Sequence, residues 1–285
     1  YYLYKRDYKY RKMRNIDNID PDLSRCLNRD EALEFSKQNL DTLQSRYEEC
    51  INEHDGEVLD LSHMELVVIP NDIPKTVNFL NISHNKISII PEYIATTVEI
   101  LDCSDNQLKE LPIMSKLKEI ICSHNNLSRI DKLSESLNLE RIDCSYNEIR
   151  SISKLNNLTH LTVIILSYNK LKQIDGFNNA IKMSCNHNEI HDIYGLTNIE
   201  YLNCSNNTIK TLPEMNNLTY LSCSTNMIRH LPKMSNLNVV RCDNNEIERI
   251  RYYPNLSELL CDKDYVKRIS NRYDISGTSI IKKKY

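Results

Sequence analysis

The sequence has no strong excess of either charge and no long apolar run. Its 285 residues carry 36 Lys and Arg against 39 Asp and Glu, so the formal net charge is −3 and the pI is about 6.3. This balance gives no global field that would hold nucleic acid or an anionic membrane. No apolar stretch approaches the roughly 20 residues that span a bilayer. We therefore expect no membrane segment, and we expect a partner to be recognised locally.

The start of the chain lacks both an initiator Met and the apolar core of a signal peptide. Residues 1–29, which open with YYLYKRDYKYRKMR, are expected to form a basic, Tyr-rich arm or part of an upstream region, so that the chain is a fragment of a longer one. Basic residues among aromatics can also bind single-stranded nucleic acid. We favour the solvated arm and do not expect nucleic acid to be the partner.

The cysteines do not have the spacing of a disulfide framework. Eight of the ten recur at intervals of 19 to 22 residues, with one gap near position 166, at Cys103, Cys122, Cys144, Cys185, Cys204, Cys223, Cys242 and Cys261. A regular interval is typical of a repeat. We expect these thiols to be reduced core residues, with Leu166 in the same position of its unit. Because unpaired thiols persist in reducing compartments, we expect an intracellular, cytoplasmic location, which includes the cytoplasm of a host cell.

Alignment of the segments around these cysteines reveals about eleven copies of one pattern. Examples are LDCSDNQLKELP, IDCSYNEIRSI and LNCSNNTIKTLP, which share L-x-C-S-x-N-x-I-x-x-I. The pattern resembles leucine-rich repeats of the short type, and is similar to bacterial and phosphatase-regulator-like examples and to leucine-rich repeat proteins of large amoeba viruses. The resemblance covers residues 56–270.

The resemblance implies an α/β solenoid: a leucine-rich repeat arc with about eleven short parallel strands on its concave face. Units of 19 residues leave only about eight residues for the convex side, too few for a full helix, so we expect short 3₁₀ or extended segments there. Residues 30–55 have apolar residues at helical spacing and are expected to form an amphipathic capping helix, whereas residues 271–285 are expected to be a C-terminal tail.

An Asn follows the Cys of each unit by three residues, as Asn106 follows Cys103. A buried carboxamide is costly unless its groups are paired, and stacked copies can pair them with the loop backbone of neighbouring units. We therefore predict a structural asparagine ladder made of Asn85, Asn106, Asn125, Asn147, Asn169, Asn188, Asn207, Asn226 and Asn245. The outermost units depart from it, with Met64 and Asp264 in the Asn position.

Alternation along each strand places a second set of side chains outward, on the concave face. Aromatic and apolar groups among mixed charges are the usual composition of a protein-binding surface. The residues that we predict to bind a protein partner are Phe79, Ile100, Ile121, Arg141, Val163, Ile165, Lys182, Tyr201, Tyr220 and Arg241.

The sequence favours a scaffold or adaptor over an enzyme. The serines that follow the cysteines recur in nearly every unit, whereas a nucleophile needs one uniquely placed base. We expect no catalytic residue, no cofactor and no small-molecule substrate. The alternative is the substrate-recognition arm of a larger enzyme, such as a leucine-rich repeat ubiquitin ligase, which would need a catalytic domain outside this chain.

One segment, MSCNHNEIHDI, suggests a zinc site because Cys185, His187 and His191 lie close in sequence. The repeat pattern instead directs Cys185 inward and the two histidines to different outer sides, so we predict no metal site there. His63 and His84 occupy the same outward position in adjacent units, which leaves a weak metal-binding or pH-sensitive pair as an open alternative.

Overall fold

Each repeat contributes one short strand to a single parallel sheet. The structure is a computed structural model and describes residues 45–50, 52, 56–248, 253–262 and 279–282. Within these ranges twelve strands lie side by side in one sheet. They are β1 (Val58–Asp60), β2 (Phe79–Asn81), β3 (Ile100–Asp102), β4 (Glu119–Ile121), β5 (Arg141–Asp143), β6 (Val163–Ile165), β8 (Lys182–Ser184), β10 (Tyr201–Asn203), β11 (Tyr220–Ser222), β12 (Val239–Arg241), β13 (Glu258–Cys261) and β14 (Ser279–Lys282).

The strands are in register from one unit to the next because equivalent residues pair directly. Leu80 of β2 pairs with Leu101 of β3, and Leu202 of β10 pairs with Leu221 of β11. In each three-residue strand of this sheet the middle residue is buried and its neighbours are more exposed, the period-2 alternation expected of a strand with one buried face. The predicted solenoid with its parallel strands is confirmed.

The C-terminal end differs from the prediction of a tail over residues 271–285. Ser279–Lys282 form a twelfth strand, β14, which pairs in parallel with β13. The segment SIIK lacks the Cys-Ser-x-Asn part of the repeat pattern, so alignment on that pattern could not find it.

The convex side is made of single helical turns and extended segments, as predicted. The turns are the α-helix Glu92–Ala95 and the 3₁₀ helices Asp131–Glu135 and Ser153–Leu155. All three lie in units with 21 or 22 residues between ladder asparagines. In the described ranges, the convex segments of the 19-residue units are extended. Two of these segments pair through β7 (Gln173–Ile174) and β9 (Asp192–Ile193). In the described part of the chain, no helix has the length and apolarity to cross a membrane.

The core is one continuous stack of apolar side chains between the sheet and the convex segments. One column of it, here called the sulfur column, contains Cys103, Cys122, Cys144, Cys185, Cys204, Cys223 and Cys242, all buried and none in a disulfide. Leu166 fills the equivalent position in its unit and is also fully buried. Neighbouring thiols come close: Cys122 Sγ lies 2.9 Å from Cys144 Sγ. The cysteines therefore act as small apolar packing residues.

The ladder asparagines join each unit to the one before it. The Nδ2 group of Asn147 donates to its own unit at Cys144 O (3.2 Å) and Ser145 O (3.1 Å), and to the preceding unit at Cys122 O (3.0 Å). Its Oδ1 accepts from the backbone N–H of Leu127, also in the preceding unit, at 2.9 Å. The same arrangement recurs at Asn85, Asn106, Asn125, Asn169, Asn188, Asn207, Asn226 and Asn245.

The ladder begins where a unit has no predecessor. Met64 takes the Asn position in the first unit, and its backbone N–H donates to Asn85 Oδ1 at 3.1 Å. A terminal repeat of a solenoid is commonly atypical for this reason. Asp264, which takes the Asn position at the other end, lies outside the described residues.

The first repeat is covered at its N-terminal side by a helix, α1, over residues 45–50. Tyr47 and Cys50 are buried in the same core as the repeats. The Tyr47 hydroxyl also donates to Asp72 Oδ1 at 3.0 Å, which fixes the helix against the first unit. Of the predicted capping helix over residues 30–55, residues 30–44, 51 and 53–55 lie outside the described residues, as does the arm over residues 1–29.

We expect Asn147→Ala to lower the free energy of unfolding by about 3–5 kcal/mol, because it leaves several buried backbone groups without partners at about 1–3 kcal/mol each. Asn157→Ala is the matched control, since Asn157 is exposed and outside the ladder. Its effect should stay within about 0.5 kcal/mol. Urea denaturation followed by circular dichroism measures both; equal effects of the two substitutions would contradict the role of the ladder.

We expect the thiols of the sulfur column to resist alkylation in the folded protein. Burial raises the pKa of Cys185 to about 12 and that of Cys103 and Cys204 well above its ordinary value. The reactive thiolate form is therefore less populated than in an ordinary thiol, and a rise from pH 7 to pH 9 should not generate it to a useful extent. Iodoacetamide labelling with peptide mapping checks this at both pH values. Labelling of the column before unfolding in guanidinium would contradict it.

Candidate functional site

The concave face, defined here as the side of the large sheet turned away from the core, presents two rows of side chains. Strand pairing aligns the first residues of the strands in one row and the third residues in another. The first row contains the predicted residues Phe79, Ile100, Arg141, Val163, Lys182, Tyr201 and Tyr220, and the third row contains Ile121, Ile165 and Arg241. All ten are partly or largely exposed. The structure therefore brings the predicted set together on one face.

Four of these residues form a continuous stack, here called the Lys–Tyr–Tyr–Arg stack. The rings of Tyr201 and Tyr220 lie 4.4 Å apart between centroids with an interplanar angle of 5°. Lys182 Nζ lies 5.1 Å from the Tyr201 ring centroid, and Arg241 Cζ lies 5.8 Å from the Tyr220 ring centroid. Partial burial, with a further contribution from the adjacent Tyr220, raises the pKa of Tyr201. The two rings thus lie between two cations, each at cation–π distance.

The third row beside the tyrosines consists of short polar side chains, Ser184, Asn203 and Ser222. Two of them bond within the protein: Asn203 Oδ1 accepts from the backbone N–H of Ser205 at 3.2 Å, and the hydroxyls of Ser205 and Ser222 lie 2.8 Å apart. Because these side chains are short, one flank of the tyrosine pair is bordered by a shallow shelf.

The N-terminal half of the concave face is different in charge. Its rows hold the carboxylates Asp60, Asp102, Glu119 and Asp143. Arg141 Nε lies 2.9 Å from Glu119 Oε1, so this base is neutralised. The aspartates accept from the backbone N–H of the serine two residues later, as Asp102 Oδ1 does from Ser104 at 3.0 Å. The hydroxyls of the serines at this position bond in two ways. Ser104 and Ser145 donate locally to the aspartate two residues earlier, at 2.6 and 2.7 Å. Ser167 and Ser224 instead donate to side chains of the next unit, Asn186 and Asp243.

A further column of side chains, here called the rim column, lies at the turn just before each ladder asparagine. Its members have φ between 52° and 57°, the left-handed region that is uncommon outside glycine. They are His63, His84, Asp105, His124, Tyr146, Tyr168, His187, Asn206, Thr225 and Asn244.

The rim column contains a stack of four rings, His124, Tyr146, Tyr168 and His187, with successive centroids 4.1 to 4.2 Å apart. The sequence pattern placed His124 and His187 in this column but did not single out the two tyrosines, although they occupy the same position of their units. Listing every residue of that position would have found them, whereas their stacking depends on side-chain conformations that the pattern does not specify.

The histidines considered as metal ligands are separated or stacked. His187 lies in the rim column against Tyr168, Cys185 is buried in the sulfur column, and His191 Nδ1 lies 2.7 Å from Asp192 Oδ2 on the outer side. His63 and His84 stack face to face at 4.2 Å. Across the residues that the structure covers, no three His, Cys, Asp or Glu side chains form a group that could hold a metal ion.

Comparisons with known proteins agree with this geometry. A family model described as Leucine Rich repeats (2 copies) matches residues 137–179. Similar solved structures include the leucine-rich repeat domain of APL1B, with a TM-score of 0.64 and 21% identity over 88% of this chain and 74% of that one. No curated protein sequence matches the chain.

Two further structures share the fold. The functional domain of InlJ from Listeria monocytogenes, which includes a cysteine ladder, has a TM-score of 0.52 and 20% identity over 66% of this chain and 49% of that one. The ectodomain of the receptor kinase GASSHO1/SCHENGEN3 from Arabidopsis thaliana, in complex with Casparian strip integrity factor 2, has a TM-score of 0.57 and 20% identity over 72% and 30%. The fold of this chain is therefore that of leucine-rich repeat domains.

We expect Thr225→Asn to stabilise the protein by about 0.5–1 kcal/mol, because a β-branched residue in the left-handed region is strained and Asn tolerates it. The neighbouring units already carry Asn206 and Asn244 at this position. Thr211→Asn is the matched control at an exposed site with ordinary backbone geometry, and it should change little. Thermal denaturation measures both; an equal or destabilising effect at position 225 would contradict the strain.

Proposed function

We propose that this chain, which has the leucine-rich repeat fold, is a protein-binding scaffold or adaptor that engages a protein partner through its concave face. The observation that carries the proposal is the Lys–Tyr–Tyr–Arg stack, a partly exposed group in the C-terminal half of the concave face. Tyr and Arg are enriched among the residues that dominate binding energy at protein interfaces.

The stacking of Tyr201 and Tyr220 favours this surface as a binding site. A side chain that is already held in place loses little conformational entropy when a partner binds, so more of the interaction energy appears as affinity. Tyr201 and Tyr220 each have one ring face against the other tyrosine and the second face beside a cation. The apolar residues Phe79, Ile100, Val163 and Ile165 extend the same face beyond the stack. The complex of the Arabidopsis receptor ectodomain supports partner binding by this fold.

We propose that the chain itself has no catalytic role. The candidate nucleophiles are serines whose hydroxyls bond to neighbouring aspartate, asparagine or serine side chains, and thiols in the buried sulfur column. Burial raises the pKa of those thiols, which opposes their use as thiolate nucleophiles. The column also supports our proposal of a reducing, intracellular compartment, since its many adjacent thiols are not in disulfides.

The test is capture of a partner by a photo-crosslinking residue placed at Val239 on the concave face, compared with the same residue at Lys154 on the convex side. In the Val239 background, Tyr201→Ala/Tyr220→Ala should abolish the crosslinked partner. The double substitution should cost about 1–2 kcal/mol of stability through lost stacking and cation–π contacts, which leaves the protein folded.

Tyr194→Ala is the matched control, because Tyr194 is an exposed tyrosine that follows β9 on the convex side. It should leave the crosslink unchanged. Mass spectrometry identifies the crosslinked protein, and circular dichroism checks the fold of each variant. A partner that still crosslinks at Val239 in the double variant would contradict the proposed site.

A further inference from the structure

The charges on the concave face are divided between its two halves. From β8 to β12 the first and third rows contain no carboxylate; they are Lys182, Ser184, Tyr201, Asn203, Tyr220, Ser222, Val239 and Arg241. The carboxylates of these rows lie in β1 to β5 and, beyond Arg241, at Glu258 in β13. The surface around the tyrosine pair is therefore locally basic, although the chain as a whole is slightly acidic.

The two cations at the ends of the stack are available to a ligand. Among the residues described, no carboxylate lies within ion-pair distance of Lys182, whereas Arg141 in the same row is paired with Glu119 at 2.9 Å. Arg241 has a longer contact, 3.4 Å from Nη2 to Glu258 Oε1. An exposed ion pair of this kind contributes little, so a ligand carboxylate can compete for Arg241.

The ring faces of the stack are closed to a planar ligand. Tyr201 and Tyr220 cover one face of each other, and Lys182 and Arg241 lie over the outer faces. A nucleobase binds such surfaces by stacking on an open aromatic face, which this arrangement does not offer. The ring edges remain open, and they favour contact with apolar groups or with the face of another aromatic ring.

The spacing of the cations matches an extended peptide. Lys182 and Arg241 lie on strands that are three steps apart in the sheet, which corresponds to about 14 Å across the strands at roughly 4.8 Å a step. Lys182 is the first residue of its strand and Arg241 the third, so their backbones are also offset by about 7 Å along the strands. Both side chains reach over the tyrosine rings, which brings the two charges back toward one line. An extended peptide rises about 3.3 Å per residue, so its residues i and i+4 are about 13 Å apart and project to the same side. Residue i+2 also projects to that side, midway between them, where the tyrosine pair lies.

These observations rest on the proposed function and deepen it. We infer that the partner presents an extended acidic segment with the pattern acidic-x-apolar-x-acidic, which runs across β8, β10, β11 and β12. Its acidic side chains pair with Lys182 and Arg241, and its central apolar side chain packs on the edges of Tyr201 and Tyr220. The shelf of Ser184, Asn203 and Ser222 leaves room for the peptide backbone beside the rings.

The inference is tested by fluorescence anisotropy with labelled peptides and the full chain. The probe Gly-Glu-Ala-Leu-Ala-Glu-Gly should bind about tenfold more tightly than Gly-Gln-Ala-Leu-Ala-Gln-Gly, because charge pairing drives the contact. It should also bind about threefold more tightly than Gly-Glu-Glu-Leu-Ala-Ala-Gly, which has the same charge at the wrong spacing. Affinity for the first probe should fall as salt is raised.

Substitutions distinguish peptide binding at Lys182 and Arg241 from a general effect of positive charge on the protein. Lys182→Gln and Arg241→Gln should each weaken the first probe about fivefold and leave the glutamine peptide unaffected. Lys154→Gln, at an exposed base on the convex side, is the matched control and should have no effect. Circular dichroism confirms that each variant is folded.

Three outcomes would overturn the inference: equal binding of the acidic and glutamine peptides, unchanged binding by Lys182→Gln and Arg241→Gln, or tighter binding of a ten-nucleotide oligothymidylate than of the acidic peptide. The crosslinking experiment distinguishes it from the proposed function. A protein partner that is lost with Tyr201→Ala/Tyr220→Ala but kept with Lys182→Gln/Arg241→Gln leaves the concave-face function in place and overturns only the acidic segment.

Discussion

The hydrogen bonding of the buried asparagines is the interaction on which the rest of the structure depends. At the end of each strand the chain turns, and backbone N–H and C=O groups of this turn are buried. Buried polar groups must be paired with hydrogen-bond partners. The carboxamide pairs them in two units at once, as Asn147 does with Cys122 and Leu127 of the preceding unit. One side chain therefore satisfies the turn and sets its position relative to its neighbour. The register of the sheet, and with it every column on the surface, follows from this connection.

Uniform stacking explains why the surface carries continuous columns. When every turn has the same backbone conformation, equivalent side chains lie one strand spacing apart, and aromatic rings at that separation can lie face to face. This occurs three times, in the tyrosine pair of the concave face, in the four rings of the rim column, and at His63 and His84 in the same column. The left-handed conformation of the rim column costs energy at residues such as Tyr146, and stacking of about 0.5–1.5 kcal/mol per pair offsets part of it.

The sequence predicts most of this fold because the same residue pattern, with the same packing and hydrogen bonding, recurs in each unit. A buried Cys, a ladder Asn and alternating exposure recur often enough that Leu166, which lies between Cys144 and Cys185 in the sulfur column, could be placed by its neighbours. The pattern also predicts that the candidate site residues lie in one row, since Lys182, Tyr201 and Tyr220 occupy the same strand position. Two kinds of feature could not be predicted from the pattern: elements that lie outside the repeated unit, and contacts that depend on side-chain torsion angles. The strand Ser279–Lys282 lacks the ladder motif, and the arrangement of Lys182 and Arg241 over the rings depends on long, flexible side chains.

Variation in unit length is confined to the convex side, where single helical turns such as Asp131–Glu135 and Ser153–Leu155 take up the additional residues. The strands and ladder are unaffected by it. An insertion of two or three residues there would leave the concave face unchanged, whereas gain or loss of a whole unit would move two groups on that face apart or together by one strand spacing, about 4.8 Å. The separation between groups on the concave face is thus a whole number of strand spacings. Duplication of a unit would therefore alter the length of ligand that the proposed site accepts while preserving its chemistry.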